Sequence, residues 1–381
     1  MQTSAAAEIA GYLKHGDHSV AVRRTLDYCL DTGDDMLISK AIDWSREYHQ
    51  NENAETGNVL PVDFISTAES ILQQAANVQN SSYQSYPLLS AIKIAKTYSS
   101  GNFSLKPIDL SVGTGNVLGV VGENGNGKTT LLRCLAGQLV LDNGEINYHL
   151  LQKPDAYAIK NHIAFIPQRI PKWYGLLKDN LHFSASIAGI YGAKNDLMVN
   201  FMLERLNLGS YAHLTWNQIS SGYRTRFEIA RILLQKPRLL ILDEPLANLD
   251  INAQQTILTD LIFMAKGAHN PMGIILSSQQ LHEVEKVADT VILIKQGNCF
   301  YSSNDREEKI TSNAVEFETT TSRENIIALF GEGNAELQFN GGFYTIISSA
   351  LSAQEIIERM ITAKIPITYF RDITYSTKRF F

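Results

Sequence analysis

Val120-Val121-Gly122-Glu123-Asn124-Gly125-Asn126-Gly127-Lys128-Thr129-Thr130 fits the phosphate-binding pattern G-x-x-x-x-G-K-[ST] at every required position. Its three glycines, Gly122, Gly125 and Gly127, let the backbone curl until several N–H groups point at phosphate oxygens. Lys128 is placed to reach the β- and γ-phosphates, and the Thr129 hydroxyl to ligate Mg²⁺. The neighbouring sequence agrees. Val117-Leu118-Gly119-Val120-Val121 reads as a buried strand feeding the loop, and Thr130 to Leu139 as a helix leaving it, with an N-terminal dipole that favours an anion. The chain is thereby expected to bind a nucleoside triphosphate.

Downstream, Arg238-Leu239-Leu240-Ile241-Leu242-Asp243-Glu244-Pro245 is a short apolar run ending in two carboxylates. A buried parallel strand there delivers both acids to the carboxyl edge of its sheet, where ligands of such sheets bind. Asp243 is then placed to hold Mg²⁺ through water, and Glu244 to polarise the water that attacks the γ-phosphate. A strand ending at a solvated acidic turn has the same pattern, but the phosphate loop upstream decides for the catalytic reading.

Before this strand comes Asn217-Gln218-Ile219-Ser220-Ser221-Gly222-Tyr223-Arg224-Thr225-Arg226, then a helical run through Ala230, Ile232 and Leu233. With these residues the chain resembles the nucleotide-binding subunit of an ATP-binding cassette (ABC) transporter. Ile219 to Tyr223 occupies that family's L-S-G-G-Q signature, Gln168 in Phe165-Ile166-Pro167-Gln168 its Q-loop, and Asn248-Leu249-Asp250 its D-loop. The resemblance covers about residues 90 to 305. It implies that Tyr98, Gly122, Asn124, Gly125, Gly127, Lys128, Thr129 and Thr130 bind ATP, with Tyr98 stacked on adenine. It implies a metal set of Thr129, Gln168 and Asp243, and catalytic roles for Glu244, Gln168 and position 279. It further implies that two cassettes close head to tail, so that Ser220, Gly222 and Asp250 act in trans on the partner's nucleotide. A single cassette per chain makes a homodimer the simplest arrangement. Trp173 and Tyr174, with Leu176 and Leu177, fall after the Q-loop, where the family receives a cytoplasmic helix of the membrane subunit; core packing is the alternative.

Three positions depart from the family's pattern. Ser221 replaces a glycine and Tyr223 a glutamine within the signature, while Ser220 and Gly222 are intact. In Gly273-Ile274-Ile275-Leu276-Ser277-Ser278-Gln279-Gln280-Leu281, Gln279 stands where the family has histidine. A neutral amide can donate a hydrogen bond to the γ-phosphate but cannot carry charge. Slow turnover with ATP binding intact is the expected consequence.

The chain has 381 residues, enough for two or three domains. Its hydrophobic fraction of 44% and charged fraction of 19% are those of an ordinary globular protein. A net charge of -6 and pI near 5.9 argue against a nucleic-acid partner. Cys29, Cys134 and Cys299 lie far apart without a C-x-x-C, so neither a disulfide framework nor a zinc site is expected and a reducing cytosol fits. Cys134, among Leu131, Leu132 and Leu135, reads as a small core residue. Neither a signal peptide nor an apolar run of about 18 residues is evident. If the chain serves transport, separate integral membrane permease subunits form the pore, and the chain sits in the cytoplasm, peripheral on the inner face of the membrane.

Outside the cassette, residues 1–85 read as a helical domain and linker, with Leu26, Cys29, Leu30, Leu37, Ala41, Trp44 and Tyr48 spaced by three or four. A further helix from Asp63 to Ala76 is expected to bury Ile65, Ala68, Leu72 and Ala75, and 77–87 reads as the linker. Residues 309–381 read as strand, helix, strand, strand, helix, strand, with Asn340-Gly341 as a hairpin turn and capping boxes at Thr321/Glu324 and Ser352/Glu355. That order is the ferredoxin-like split unit. The fold expected is therefore α/β: a P-loop ABC ATPase over 86–308 with antiparallel β and helical subdomains, an all-α N-terminal domain and a ferredoxin-like α+β C-terminal domain. ATP and Mg²⁺ are the expected cofactors, and a second copy and a permease the expected partners. The competing reading is a nucleotide-gated regulatory or binding protein not linked to transport, against which the intact Glu244 argues.

Overall fold

The computed structural model describes residues 5–52, 63–78, 86–98, 103–151, 155–247, 249–267, 271–302, 312–330, 335–340 and 342–374. Apolar residues at helical spacing make its first part four helices: α1 (Ala5–His15), α2 (His18–Thr32), α3 (Asp35–Glu52) and α4 (Phe64–Val78). Leu26, Cys29, Leu37, Ala41, Trp44 and Tyr48 are buried as their spacing predicts. The Asp34 carboxylate caps α3, accepting from the backbone N–H of Met36 at 2.8 Å and of Leu37 at 3.2 Å. Helix α4 corrects the sequence reading. Its buried face is Phe64, Ala68, Ile71, Leu72 and Ala75, whereas Ile65 is 45% exposed. Phe64 sets that register: its ring stacks on Trp44 at 4.7 Å, and the Trp44 indole N–H donates to the Phe64 carbonyl at 3.0 Å. Most of the expected linker over 77–87 lies outside the described residues.

There follow β1 (Pro87–Thr97), β2 (Ser104–Gly113), β3 (Val117–Val121), α5 (Lys128–Leu135), β4 (Asn143–Tyr148), α6 (Ala156–His162), β5 (Ile163–Ile166), α7 (Leu177–Ile187), α8 (Gly192–Arg205), α9 (Ser221–Leu233), β6 (Leu239–Leu242), α10 (Ile251–Ala265), β7 (Gly273–Ser278), α11 (Leu281–Val284), β8 (Thr290–Lys295) and β9 (Asn298–Ser302). Two sheets result. One is antiparallel, in the order β2-β1-β4; the other runs β5-β6-β7-β3-β8-β9 and is parallel except for β9 at its edge. Every residue of β3, β6 and β7 is buried, which a strand covered on both faces requires. Successive residues alternate between two cores. Val117, Val121, Leu240, Leu242, Ile274 and Leu276 join the apolar faces of α1–α4 and α7–α10, while Leu118, Val120, Leu239, Ile241 and Ile275 join β1, β2 and α5. Gly119 lets α11 pack directly on β3, since a Cβ there would lie 2.0 Å from the Val284 side chain. Burial raises the Cys29 thiol to about 12 and the Cys134 thiol to about 11, so both are inert packing residues.

The helix expected from Thr130 starts instead at Lys128 and ends at Leu135. Gly127, at φ 102°, turns the chain into it, and Gly137, at φ 67°, ends it with its N–H on the Cys134 carbonyl at 3.0 Å.

The last elements are β10 (Asn313–Glu318), α12 (Arg323–Phe330), β11 (Glu336–Asn340), β12 (Phe343–Ser348), α13 (Ala353–Thr362) and β13 (Tyr369–Asp372). They form an antiparallel sheet in the order β11-β12-β10-β13, packed over a separate core of Val315, Phe317, Ile326, Ile346, Ile356 and Met360. The Ser352/Glu355 capping box is present, and hydrogen bonds from Ser352 hold the Glu355 carboxyl below its usual range. The Thr321 box is not. Helix α12 starts at Arg323, so Thr321 lies one residue before the cap position, and its backbone N–H donates to the Thr319 hydroxyl at 3.1 Å. Gly341 of the expected hairpin turn lies outside the described residues.

Candidate functional site

The phosphate loop lies between β3 and α5, and two of its glycines are demanded by close approach. A Cβ on Gly122 would sit 2.4 Å from the Ile294 carbonyl oxygen, and one on Gly127 2.4 Å from the Phe103 ring. Gly125, at φ 82°, and Asn124 are exposed at the tip. Lys128, only 4% exposed, folds back so that its ammonium donates to the carbonyls of Gly122 at 2.7 Å and Glu123 at 3.1 Å. The same ammonium pairs with Glu244 Oε1 at 3.0 Å. The Thr129 hydroxyl donates to Asp243 Oδ2 at 2.7 Å. Tyr98 lies beside α5, its hydroxyl 3.5 Å from that of Thr130.

Strand β6 delivers Asp243 and Glu244 at its carboxyl end, and both acids are buried. Ser277, at the end of β7, ties them together: its hydroxyl donates to Asp243 Oδ1 at 2.8 Å and accepts from the Glu244 backbone N–H at 2.9 Å. Glu244 sits at φ 48°, a left-handed conformation that strains a non-glycine residue and is found at functional sites. Its second oxygen, Oε2, accepts from the side-chain amides of Gln168 at 2.7 Å and Gln279 at 3.0 Å. One carboxylate thus receives a cation and two amides, from three separate elements. Beside it, a hydroxyl and a carboxylate in contact, Thr129 and Asp243, make a small hard-oxygen donor set of the kind Mg²⁺ uses when phosphate and water complete its shell. No cluster of three or more His, Cys, Asp or Glu able to hold a metal occurs among the described residues.

Ser220 and Asp250 stand apart from this cluster. Ser220 caps α9, accepting from the Tyr223 N–H at 3.5 Å, and Asp250 caps α10, accepting from the Ala253 N–H at 2.9 Å. The two helix starts adjoin each other, since a Cβ on Gly222 would lie 3.4 Å from the Leu249 side chain. Asn248 lies outside the described residues.

The sequence model of the ABC transporter family matches residues 105–247. An uncharacterized ABC transporter ATP-binding protein of Bacillus subtilis (strain 168), YxlF, is 30% identical over 224 residues, 58% of this chain and 72% of that protein. The zinc import ATP-binding protein ZnuC of Pseudomonas syringae pv. syringae is 32% identical over 207 residues, 54% of this chain and 73% of that protein. The chain belongs to the ABC transporter family. It carries the family's ATP-binding cassette and is an ATPase. Its fold matches the dimeric ATP-binding cassette MJ0796 bound to ADP and Pi, with a TM-score of 0.51 and 20% identity, over 56% of this chain and 97% of that one.

Within the cassette, two site residues carry no sequence signal. Phe103 lays its ring on Gly127 and lies 6.5 Å from the Tyr98 ring, yet it belongs to no motif. Ser277 precedes the switch position by two residues, and only its place at the end of a buried strand hints at the bridge it makes. Tyr223 packs on Tyr211 with ring centroids 3.8 Å apart, and burial followed by a hydrogen bond with Tyr211 raises its phenol to about 12. The aromatic pair after the Q-loop divides. Trp173 is buried, stacked on Trp216 at 5.0 Å and donating to Glu228 at 3.1 Å, whereas Tyr174 is 81% exposed and Leu176, two residues on, 42%. No helix among the described residues is long and apolar enough to cross a membrane.

Proposed function

We propose that two copies of this chain close on ATP and couple its hydrolysis to separate permease subunits, working peripherally on the cytoplasmic face of a membrane. The observation that carries this is Glu244, held at once by Lys128, Gln168 and Gln279 beside the Thr129–Asp243 pair. Lys128 exchanges Glu244 for the β- and γ-phosphates, as a compact ammonium at the end of this loop does. Gln168, Thr129 and Asp243 hold Mg²⁺, which when bound neutralises charge developing on the phosphate oxygens. Glu244, released from Lys128, takes the proton of the attacking water. Tyr98 stacks on the adenine, with Phe103 packed against the loop beneath it. Ser220 and Gly222 begin a helix whose N–H groups suit an anion, and Asp250 starts the adjoining helix; these act on the partner copy's nucleotide. Residues 1–85 and 309–381 are accessory domains flanking the cassette.

Tyr174 and Leu176 offer the permease an apolar contact after the Q-loop. Detergent extraction of membranes, followed by affinity purification of the tagged full chain, tests the coupling. The expected result is a stoichiometric complex with a protein carrying several apolar spans of about 20 residues. A chain that remains in the soluble fraction under every nucleotide condition and captures no such protein removes the transport reading.

Gln279 sets the rate in this scheme. Its amide, which lies 3.0 Å from Glu244 Oε2, can give the γ-phosphate one neutral hydrogen bond, where a protonated histidine would give a charge-assisted one of about twice the strength. Gln279→His is therefore expected to raise turnover by about tenfold, corresponding to about 1.4 kcal/mol of barrier. Phosphate release at saturating ATP measures it, and an unchanged rate would show that Gln279 does not limit hydrolysis.

A further inference from the structure

The seam between the N-terminal helices and the cassette encloses a cavity of about 340 Å³. It lies behind the phosphate site. Arg238 in its lining immediately precedes β6, and Lys236 follows the end of α9, whereas Asp243 and Ser220 stand at the opposite ends of those elements. The span of β6 alone sets the two sites about 16 Å apart. Leu30 of α2, Ile38 of α3, Met198 and Met202 of α8, and Phe263 and Met264 of α10 form the apolar wall. Four of the lining residues, Met198, Met202, Met264 and Met272, are methionines, whose flexible thioethers adjust to a guest. An apolar cavity of about 150 Å³ admits benzene, so this one suits a tail and head of about a dozen non-hydrogen atoms.

The charges of the lining are unevenly satisfied. Arg205 gives its guanidinium to Asp27 and Asp260, and Lys194 pairs with Asp35. The Arg238 guanidinium donates to the Tyr86 hydroxyl at 2.7 Å, and among the described residues no salt bridge is formed by Lys236 or Arg238. Asp31 is the other acid of the lining, and Lys236 with Arg238 outnumber it. Lys236 is exposed and therefore stands at the mouth. A largely apolar chamber of this size, at a junction between packed units and with cations at its rim, has the make-up of a small-molecule site.

We propose that this cavity binds a small amphipathic anion, an aliphatic monocarboxylate whose tail lies among Met198, Met202 and Met264 and whose carboxylate meets Lys236 and Arg238. A neutral molecule of the same shape leaves the excess positive charge unmatched, and a cationic one meets it unfavourably. The site shares no residue with the phosphate loop, so its test is independent of nucleotide. Isothermal titration of the full chain with decanoate, kept below its micellar concentration, is compared with 1-decanol and decyltrimethylammonium. One site per chain is expected, with decanoate at least tenfold tighter than either analogue. Lys236→Glu, at an exposed position that leaves the fold intact by circular dichroism, is expected to weaken decanoate at least tenfold and to leave 1-decanol unchanged. Met198→Trp, which fills the chamber, is expected to weaken both. Decanoate binding no tighter than 1-decanol, binding indifferent to Lys236→Glu, or several equivalent weak sites would each overturn the assignment.

Discussion

Glu244→Gln is expected to lower ATP turnover by about 10²–10⁴-fold, the range a positioned general base contributes, while leaving ATP binding intact. The substitution is nearly isosteric and keeps an oxygen in place to accept from Gln168 or Gln279, so the cluster at the end of β6 survives. What it removes is the negative charge. In wild type that charge holds Lys128 at 3.0 Å, and ATP must compete for the same ammonium. The variant frees Lys128, so its affinity for ATP is expected to equal or exceed that of wild type. If two copies close on the nucleotide, the variant stalls in the closed form and elutes as a dimer with ATP. Fluorescent-nucleotide titration, phosphate release and size-exclusion chromatography read the three effects separately. Turnover equal to wild type would take the base role from Glu244, and weaker binding would show that its charge positions the loop instead.

What the sequence disclosed follows the range of the forces involved. The phosphate loop, the strand before it and the acidic end of β6 were legible because each is imposed locally, by glycine sterics and by an apolar run whose alternate residues enter two cores. The apolar period starts α5 two residues late, because Gly127 turns the chain sooner than that period shows. Spacing puts Ile65 on the buried face of α4 for the same kind of reason: it cannot register the stack of Phe64 on Trp44, a contact between helices. Ser277 and Phe103 were invisible because their partners, Asp243 and Gly127, are joined to them only by the folded sheet. The attachment of the N-terminal helices to the cassette was hidden too. Beside the shared apolar core, it uses a few charged residues with no period, separated by up to 237 positions in the chain.

Arg205→Ala is expected to destabilise the protein by about 3–5 kcal/mol, the cost of breaking a buried ion pair by removing one partner. Arg205, on α8, is 3% exposed, and its guanidinium grips both oxygens of Asp27 on α2, at 2.6 and 2.9 Å, and Asp260 on α10 at 2.8 Å. Burial alone would lower its basicity; Asp27 and then Asp260 outweigh that and hold it above its ordinary value, so the side chain is charged at every accessible pH. Truncation leaves Asp27 without its forked partner and Asp260 with Arg23 alone, at 2.9 Å. The forked geometry means that Arg205→Lys should restore only part of the loss, since an ammonium cannot reproduce two parallel bonds. Adding Asp27→Asn to Arg205→Ala should cost less than the two single changes summed, because the second removes a charge the first has stranded. Urea unfolding followed by far-ultraviolet circular dichroism measures the loss. Limited proteolysis locates it, the N-terminal helices being released first when α2 loses its hold on α8. An Arg205→Ala chain that unfolds at the wild-type urea concentration would mean that the apolar core alone, through Leu26, Trp44 and Phe64, secures those helices.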